Sequence, residues 1–466
     1  MPAACDLSAV EARRLIGSKQ LSPVELLESC LSRIEATNRT VNAMVAIDVT
    51  TARRCAKLAE LVHLKGEELG PLSGLPIGVK DLQATAGLAT TFGSLLFKDH
   101  VPTEDDFSVA NIRRAGGIIL GKTNTPEFGA GGNTTNRLFG PTGNPYEPTK
   151  TSGGSSGGSA AALALGQIPL ATGSDYGGSL RTPAAFCGVV GFRPSPGVIP
   201  DTNRPAGLLP FHVLGPMGRS VEDAHLLLLA QMGRDKRDPF SSSRDTCFPA
   251  RLVGADLTRL RAAVSTDLGC APVDRCIAAV FREKVQKFRH HFREVQERAP
   301  DLTNVHEVFE TLRGLQFVAA YRDVLTKHRD QLGRNVVDNI ERGLKLSVTD
   351  IGRAYVEQAN LFKRFLSFFE EVDLLICPAT AVSPFPNEQL FVERINGDKM
   401  ETYMRWLAIA YATTMALSCV AVVPCGRDHM GMPFGIQIIG PAGSDARVLE
   451  VAYALEQVLR ADKIAA

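Results

Sequence analysis

The sequence predicts an α/β protein whose sheet is largely buried. Short apolar runs such as GGIILG at 116–121 and IPLATG at 168–173 alternate with Gly-, Ser- and Thr-rich loops and alanine-rich helices. This alternation is typical of a sheet that is covered on both faces. Strand-like runs return near the C-terminus in DLLICPA and FGIQIIG. Because sheet-forming runs lie on both sides of a helical section, we expect one interrupted domain over residues 1–466.

Helical patterns fill the section 1–70. Two Ser-x-x-Glu spacings begin at residues 8 and 22, and in such a capping box the serine and the acid satisfy backbone N–H groups at a helix start. A third pattern of helical period covers residues 50–69 and stops at a Gly-Pro pair. We therefore expect three helices before the sheet begins.

The segment LPIGVK at 75–80 favours a short buried strand that ends at Lys80. Apolar surroundings disfavour the charged ammonium and lower the pKa of a lysine, so its neutral amine becomes available as a base. The competing interpretation is an ordinary ion pair between Lys80 and Asp81.

The later sections complete the expected layout. Residues 71–232 are predicted to form the catalytic core together with the C-terminal part at 371–466. Residues 233–370 are predicted to be a variable helical cover on the substrate side, since TLRGLQFVAAYRDVL at 311–325 has helical spacing. The stretch 233–249 breaks the apolar periodicity and is predicted to be a surface linker.

Composition excludes several classes of protein. The 51 basic and 50 acidic residues nearly cancel, so capture of nucleic acid or of an anionic membrane is not expected. The ten cysteines include no CxxC pair and the nine histidines are dispersed, so we expect no disulfide framework, no metal site and no cofactor. No signal-peptide pattern and no 18-residue apolar run occurs; we expect a cytoplasmic protein without a membrane span.

Two glycine-rich serine stretches carry the predicted chemistry, GGSSGGSA at 153–160 and SDYGGSLR at 174–181. A serine nucleophile needs a base, and neither stretch contains a histidine. A lysine that is buried enough to lose its proton is the natural substitute. Ser179, Ser155 and Lys80 are therefore predicted to form a proton relay for acyl transfer.

The turn before Ser179 is predicted to stabilise a developing oxyanion. IPLAT favours a strand, GSDYGG a turn, and the Thr-Pro pair at 182–183 a helix start. Converging backbone N–H groups in such a turn hold the oxygen of a tetrahedral intermediate. The candidate donors are the N–H groups of Tyr176, Gly177, Gly178 and Ser179. The alternative is a purely structural strand-to-helix turn.

Four glycines surround Ser155. One interpretation is that the serines of this stretch only cap the alanine-rich helix that follows. Capping accounts for one serine but not for four glycines, which let two backbone segments approach closely. A hydroxyl that bridges base and nucleophile needs that approach, so we favour the functional interpretation.

Two further segments match known sequence motifs in their residue types but not in the structural context that those motifs require. Residues 153–157 satisfy the G-x-S-x-G pattern of nucleophile elbows, but a polar loop precedes them where a strand is needed. Residues 116–123 satisfy the phosphate-loop pattern G-x-x-x-x-G-K-T, but the intervening positions favour a strand and no helix start follows. A nucleotide-binding protein that uses residues 116–123 is therefore the remote alternative.

The segments GGSSGGSAAALALG and GSDYGGSLRTPAAFCGVVGFRP, supported by GVKD at 78–81, resemble the amidase signature family. The likeness covers nearly the whole chain except about 233–361. It implies an α/β/α sandwich around a large mixed β-sheet, with N-terminal helices and a helical cover insertion. It also implies a Ser-Ser-Lys triad in which Ser179 is the nucleophile, Ser155 follows a cis peptide and bridges, and Lys80 is the base.

The same resemblance implies further site residues. Ser156, Asp175 and Arg181 correspond to the family's supporting polar residues. Two departures make an inherited substrate assignment unsafe: Tyr176 stands where Thr or Ile is more usual, and TTMALSCVAVVPCG at 413–426 replaces a stretch with Asn and Gly. Four consecutive residues match a loop beside the acyl pocket, namely Gly129, Ala130, Gly131 and Gly132.

The implied activity is hydrolysis of a carboxamide, anilide or carbamate C–N bond through a serine acyl-enzyme, and the resemblance also implies a homodimer. The balanced charge and the apolar segments around 317–321 and 406–415 favour small apolar or aryl substrates. The alternative is an A-type subunit of glutamyl-tRNA(Gln) amidotransferase, which releases ammonia from glutamine for use by a partner subunit.

Overall fold

The computed structural model describes residues 3–204, 206–241 and 248–465 of the chain, which form thirteen α-helices and thirteen β-strands. The helices are α1 Ala9–Gly17, α2 Pro23–Val41, α3 Val49–Leu64, α4 Phe107–Arg114, α5 Gly157–Ala164, α6 Arg181–Cys187, α7 Val221–Gln231, α8 Arg275–Phe288, α9 Val305–His328, α10 Arg334–Leu344, α11 Val348–Glu371, α12 Ala408–Met415 and α13 Asp445–Ala465. The strands are β1 Met44–Ile47, β2 Pro76–Lys80, β3 Ile118–Thr123, β4 Leu170–Asp175, β5 Val190–Arg193, β6 Val213–Gly218, β7 Arg261–Val264, β8 Glu294–Glu297, β9 Leu374–Pro378, β10 Arg394–Ile395, β11 Asp398–Lys399, β12 Cys419–Arg427 and β13 Pro433–Gly440.

Eleven of the strands in the described residues form one sheet in the order β1-β3-β2-β4-β6-β5-β12-β13-β9-β7-β8. Strands β3, β2 and β4 are parallel neighbours, and so are β9, β7 and β8, whereas the remaining pairs are antiparallel. The prediction of a large mixed sheet is confirmed.

Helices cover both faces of this sheet. Successive strand residues point to opposite faces, and on β9 Leu375 belongs to one apolar cluster while Ile376 belongs to another. The first cluster contains Phe309 of α9 together with side chains of α11 and α12. The second contains Phe281 of α8 together with side chains of α7 and α13. This arrangement is the α/β/α sandwich that the sequence predicts.

Three predictions about the secondary structure of the N-terminal and cover sections are wrong. The section 1–70 does not consist of helices alone, because β1 lies between α2 and α3 and pairs with β3 at the edge of the sheet. The third helix is shorter than the pattern at 50–69 indicated, because α3 ends at Leu64. The section 233–370 is not wholly helical, since β7 and β8 lie inside it and extend the sheet beyond β9. Each of these strands has only four residues, which is too short to interrupt a helical pattern visibly. The cover itself consists of α9, α10 and α11.

The stretch predicted to be a surface linker is described only in part. Residues 233–241 contain neither helix nor strand, and residues 242–247 lie outside the described residues. Among the helices of the described residues, none combines the length and the apolar character that a bilayer crossing requires.

A substitution at Gly158, near the start of α5, tests how closely that helix approaches the sheet. A Cβ atom there would lie 2.3 Å from the backbone nitrogen of Asn124 and 2.7 Å from the carbonyl oxygen of Ala43. Backbone cannot withdraw as a flexible side chain can, so we expect Gly158→Ala to destabilise the fold by about 1–3 kcal/mol. The measurement is the thermal unfolding midpoint.

The matched control is Gly352→Ala in α11, where an added Cβ atom meets nothing within 4 Å. Alanine is the better helix former there by about 1 kcal/mol, so we expect an unchanged or raised midpoint. Equal midpoints for the two variants would contradict the close approach at Gly158.

Candidate active site

Lys80 is the last residue of β2 and is completely buried. Its Nζ atom lies 2.7 Å from the Oγ atom of Ser155, 2.8 Å from that of Ser156 and 3.0 Å from that of Ser174. An ammonium would donate to all three hydroxyls, whereas a neutral amine donates to two and accepts from the third. The strand that was predicted to end at Lys80 is confirmed.

The environment of Lys80 favours the neutral amine. Burial lowers the pKa of Lys80 to about 7, although the negative charge of Asp175 works in the opposite direction. The predicted competing ion pair with Asp81 does not form, because the carboxylate of Asp81 instead accepts hydrogen bonds from the backbone and side chain of Thr91. The lysine can therefore lose its proton near neutral pH.

The parallel pairing of β2 with β4 brings Lys80 close to the start of the second serine stretch, 174–181. Both strands end on the same side of the sheet, so Lys80 and Ser174 lie at neighbouring carboxyl ends. Ser174 was not predicted as a site residue, although it is the first residue of the stretch 174–181. Its role as a partner of Lys80 depends on a strand pairing that spans 94 residues, and no local pattern reveals that pairing.

The loop before α5 delivers Ser155 and Ser156. The peptide bond between Gly154 and Ser155 is cis. A Cβ atom at Gly154 would lie 2.8 Å from the carbonyl oxygen of Gly131, which confirms that this glycine permits a close approach of two backbone segments. Ser156 occupies the N-cap position of α5 but makes no side-chain cap bond. Its hydroxyl faces Lys80 instead, so the capping interpretation is wrong for Ser156.

Ser179 lies half-buried after the turn that follows β4, and it borders the same cavity as Ser155. Its carbonyl oxygen accepts a bond of 3.2 Å from the N–H group of Ser156. The strand continues to Asp175, so the predicted turn begins later than expected. Helix α6 starts at Arg181 with Leu180 as its N-cap, and therefore the predicted cap at the Thr-Pro pair is wrong.

One of the predicted oxyanion donors is already engaged. The N–H group of Gly178 donates to Oδ1 of Asp175 at 3.1 Å, and that of Leu180 donates to Oδ2 at 3.0 Å. The prediction that Gly178 donates to the substrate therefore does not hold in this conformation. The N–H groups of Tyr176, Gly177 and Ser179 remain the proposed donors.

Asp175 holds the turn to the rest of the fold. Its carboxylate receives the guanidinium of Arg181 at 2.9 and 3.0 Å and lies 3.3 Å from that of Arg193, and all three side chains are fully buried. Burial raises the pKa of Asp175, but the charges of Arg181 and Arg193 outweigh that effect and hold the pKa below its usual range. A buried carboxylate that is paired in this way stays ionised.

Two adjoining cavities lead to Ser179. The inner cavity, of about 60 Å³, is bordered by Ser155 and Ser179, by Tyr176 and Gly177, and by Arg313. The outer cavity has about 470 Å³. Six residues border both cavities, namely Leu82, Phe128, Ser174, His212, Gln316 and Phe317.

The loop predicted beside the acyl pocket is only partly exposed to these cavities. Gly129 and Gly131 border the inner cavity. Ala130 instead packs in an apolar cluster with α10, and a Cβ atom at Gly132 would collide with Trp406. The structure therefore places the first and third positions of the loop, but not the second and fourth, at the inner cavity.

The structure rejects the phosphate-loop interpretation of residues 116–123. Their last six residues form β3, and no α-helix follows directly. Lys122 is fully buried, and its Nζ atom donates to the carbonyl oxygen of Gln83 and to the hydroxyl of Thr85. It has no access to a phosphate. The elbow pattern at 153–157 fails as predicted, since no strand directly precedes it.

Among the described residues, one group has spacing suited to a metal ion. Ligand atoms of Asp274, Cys276 and His429 lie within 4.8 Å of one another, and the cysteine and histidine are exposed. The carboxylate of Asp274 caps α8 through the N–H groups of Cys276 and Ile277. None of these residues borders the cavities at Ser179.

Comparison with known proteins places this geometry in a family. The family model named Amidase matches residues 25–449. An acylamidase of Rhodococcus erythropolis is 35% identical over 455 residues, which are 97% of this chain and 95% of that protein. The A-type component of the glutamyl-tRNA(Gln) amidotransferase of Acaryochloris marina is 30% identical over 469 residues, which are 94% of this chain and 95% of that protein.

A solved structure agrees with these sequences. The crystal structure of a bacterial aryl acylamidase of the amidase signature family superposes with a TM-score of 0.89 at 28% identity and covers 97% of this chain and 96% of that one. The match thus includes the sheet, the serine loop and the helical cover. The chain belongs to the amidase signature family, whose members hydrolyse amides.

Proposed function

We propose that this chain hydrolyses the C–N bond of small amides through an acyl-enzyme on Ser179, with Ser155 as the bridge and Lys80 as the base. The observation that carries the proposal is the 2.7 Å contact between Lys80 Nζ and Ser155 Oγ, in a site where Ser155 and Ser179 border one cavity. Among the described residues, the one histidine that borders the inner cavity is His212, which is bonded to Asp201.

In this mechanism the relay transfers a proton twice, first away from Ser179 as it attacks and then to the amine as the C–N bond breaks. Ser179 attacks the carbonyl carbon while its proton passes to Ser155, whose own proton passes to neutral Lys80. The N–H groups of Tyr176, Gly177 and Ser179 stabilise the negative oxygen of the tetrahedral intermediate. The relay then returns the proton to the leaving amine. Water attacks the acyl-enzyme by the same route and releases the acid.

The outer cavity favours a substrate with an apolar or aryl portion. Its border includes several aromatic rings, and those of Phe128 and Tyr321 stack with centroids 4.4 Å apart. Aromatic walls suit an aryl amide, an anilide or an aryl carbamate. The relatives named acylamidase and aryl acylamidase support this choice. Of the predicted apolar segment 406–415, Leu407 borders the inner cavity, whereas Trp406 is fully buried elsewhere.

The second candidate is the A-type component of an amidotransferase, favoured by the relatives of that kind. Glutamine is a small zwitterion, and it would leave the apolar outer cavity of about 470 Å³ largely empty. We therefore rank this function second. Glutaminase activity that requires a partner would select it, whereas hydrolysis of anilides by the isolated chain would exclude an obligatory partner. We also propose a cytoplasmic location, on the sequence pattern, and a homodimer, on the family resemblance.

Labelling with a fluorophosphonate tests the nucleophile directly. We expect the probe to attach to Ser179, because in the proposed relay Ser179 is the serine whose hydroxyl is deprotonated for attack. The measurement is mass spectrometry of the labelled peptide, followed by a panel of amide, ester and carbamate substrates. Attachment at another serine, with Ser179 unmodified, would contradict the assignment.

Substitution of the base tests the relay. We expect Ser179→Ala to abolish turnover and Lys80→Met to lower kcat by at least about 100-fold, the range of general base catalysis. The matched control is Lys122→Met, which removes the second fully buried lysine outside the cavity that Ser155 and Ser179 border. Circular dichroism checks that each variant is folded. A folded Lys80→Met variant with full activity would refute the base assignment.

The pH dependence tests the charge of the base. Since burial lowers the pKa of Lys80 to about 7, the amine is neutral above that pH and protonated below it. We expect kcat/KM for a neutral anilide to rise about tenfold per pH unit below pH 7 and to level off above it. A substrate without ionisable groups ensures that only the enzyme titrates. A flat profile from pH 5 to pH 9 would exclude a neutral Lys80 as the base.

A further inference from the structure

Arg313 places a positive charge at the inner cavity. It lies on α9, is only 6% exposed and borders the same cavity as Ser179. Its Nε atom donates to Asn339 Oδ1 at 3.0 Å, and its Nη2 atom donates to the hydroxyl of Tyr403 at 3.1 Å. No hydrogen bond is formed by Nη1 to the described residues.

Three aromatic rings fix the position of this guanidinium. Its central carbon lies 4.8 Å from the ring centre of Phe317, 5.4 Å from that of Tyr176 and 6.0 Å from that of Phe309. The flat guanidinium is therefore held before any substrate arrives. Such contacts orient a cation, but they satisfy none of its N–H donors and replace its lost hydration only in part.

A carboxylate partner for Arg313 is missing from the described residues. The other buried arginines close to the turn, Arg181 and Arg193, share Asp175 as their partner. The acid nearest to Arg313 along α9 is Glu310, but its carboxylate is bonded to Arg405 and Thr402. Arginine is not deprotonated in proteins, so the charge of Arg313 persists, and its free N–H groups are available to an anion within the cavity.

The sizes of the two cavities indicate how a substrate divides between them. The inner cavity, of about 60 Å³, suits a group as small as a carboxylate. The outer one, of about 470 Å³, exposes mainly apolar surface, and the two carboxylates on its border, Asp106 and Asp201, disfavour an anion there. Because six residues border both cavities, one molecule can occupy both while its amide lies at Ser179.

We propose that Arg313 binds a carboxylate on the substrate, so that the preferred substrates are amides with an acidic group a few bonds from the scissile carbonyl and an apolar or aryl group at the other end. A carboxylate matches the planar donors of arginine and forms the stronger, charge-assisted hydrogen bonds. This inference rests on amide hydrolysis at Ser179 and adds an acidic group to the apolar or aryl substrate proposed above.

Matched substrates test the inference. N-phenylsuccinamic acid is compared with 4-methyl-N-phenylpentanamide, in which an isopropyl group replaces the carboxylate. N-benzoylglycine is compared with N-isobutylbenzamide in the same way, so the acid lies on the acyl side in one pair and on the amine side in the other. We expect kcat/KM to favour the acid in at least one pair by about 10- to 100-fold, mainly through KM.

Variants assign that preference to one residue. We expect Arg313→Gln to bring the acid-to-neutral ratio of kcat/KM close to one and Arg313→Lys to restore part of it. The control is Arg322→Gln, which removes an exposed arginine from the same helix and is expected to leave the ratio unchanged. If the preference depended only on the net charge of the protein, Arg313→Gln and Arg322→Gln would change the acid-to-neutral ratio of kcat/KM equally.

The outcomes separate this inference from the proposed function. Two outcomes overturn the role of Arg313 but leave the labelling of Ser179 intact. In one, the chain hydrolyses the neutral amides and prefers neither acid; in the other, it hydrolyses neither acid. Absence of both hydrolysis and labelling overturns the proposed function itself. If Arg313→Gln does not fold, the preference of the unmodified chain within the two pairs still decides the question.

Discussion

The contact on which the site depends is that of one buried amine with three hydroxyl groups. Lys80 Nζ lies within 3.0 Å of Ser155, Ser156 and Ser174 and forms no ion pair among the described residues. Hydroxyls satisfy the amine without favouring its charge as a carboxylate would, so burial can lower its pKa to about 7. The parallel pairing of β2 and β4 and the approach of the serine loop produce this arrangement.

The charges around the site have separate tasks. Among the described residues, Asp175 is the carboxylate that raises the pKa of Lys80, but its oxygens are occupied by Arg181, by Arg193 and by backbone N–H groups of the turn. It therefore holds the turn in place instead of forming an ion pair with the base. Arg313, in contrast, forms no ion pair with the described residues, and aromatic rings and neutral hydrogen-bond partners fix its position. A fixed charge without an internal counterion suits recognition of a substrate.

Local sequence patterns predicted what lies within single segments. The strand that ends at Lys80 and the serine stretches were visible because apolar runs and glycine clusters are local features. Ser174 and Arg313 were missed because their roles follow from contacts between distant segments. The engaged N–H group of Gly178 was missed for a related reason, since its partner Asp175 depends on the conformation of the turn. The strands β7 and β8 were too short to be distinguished from the helical pattern around them.

The most direct measurement of the central claim is the pKa of Lys80 itself. Lysine labelled with ¹³C at Cε allows each amine to be titrated by NMR, and the spectrum of the Lys80→Met variant identifies the resonance of Lys80. A neutral amine at physiological pH predicts a titration midpoint near 7. A resonance that keeps the shift of a charged ammonium at pH 9 and above would contradict the role of Lys80 as the base.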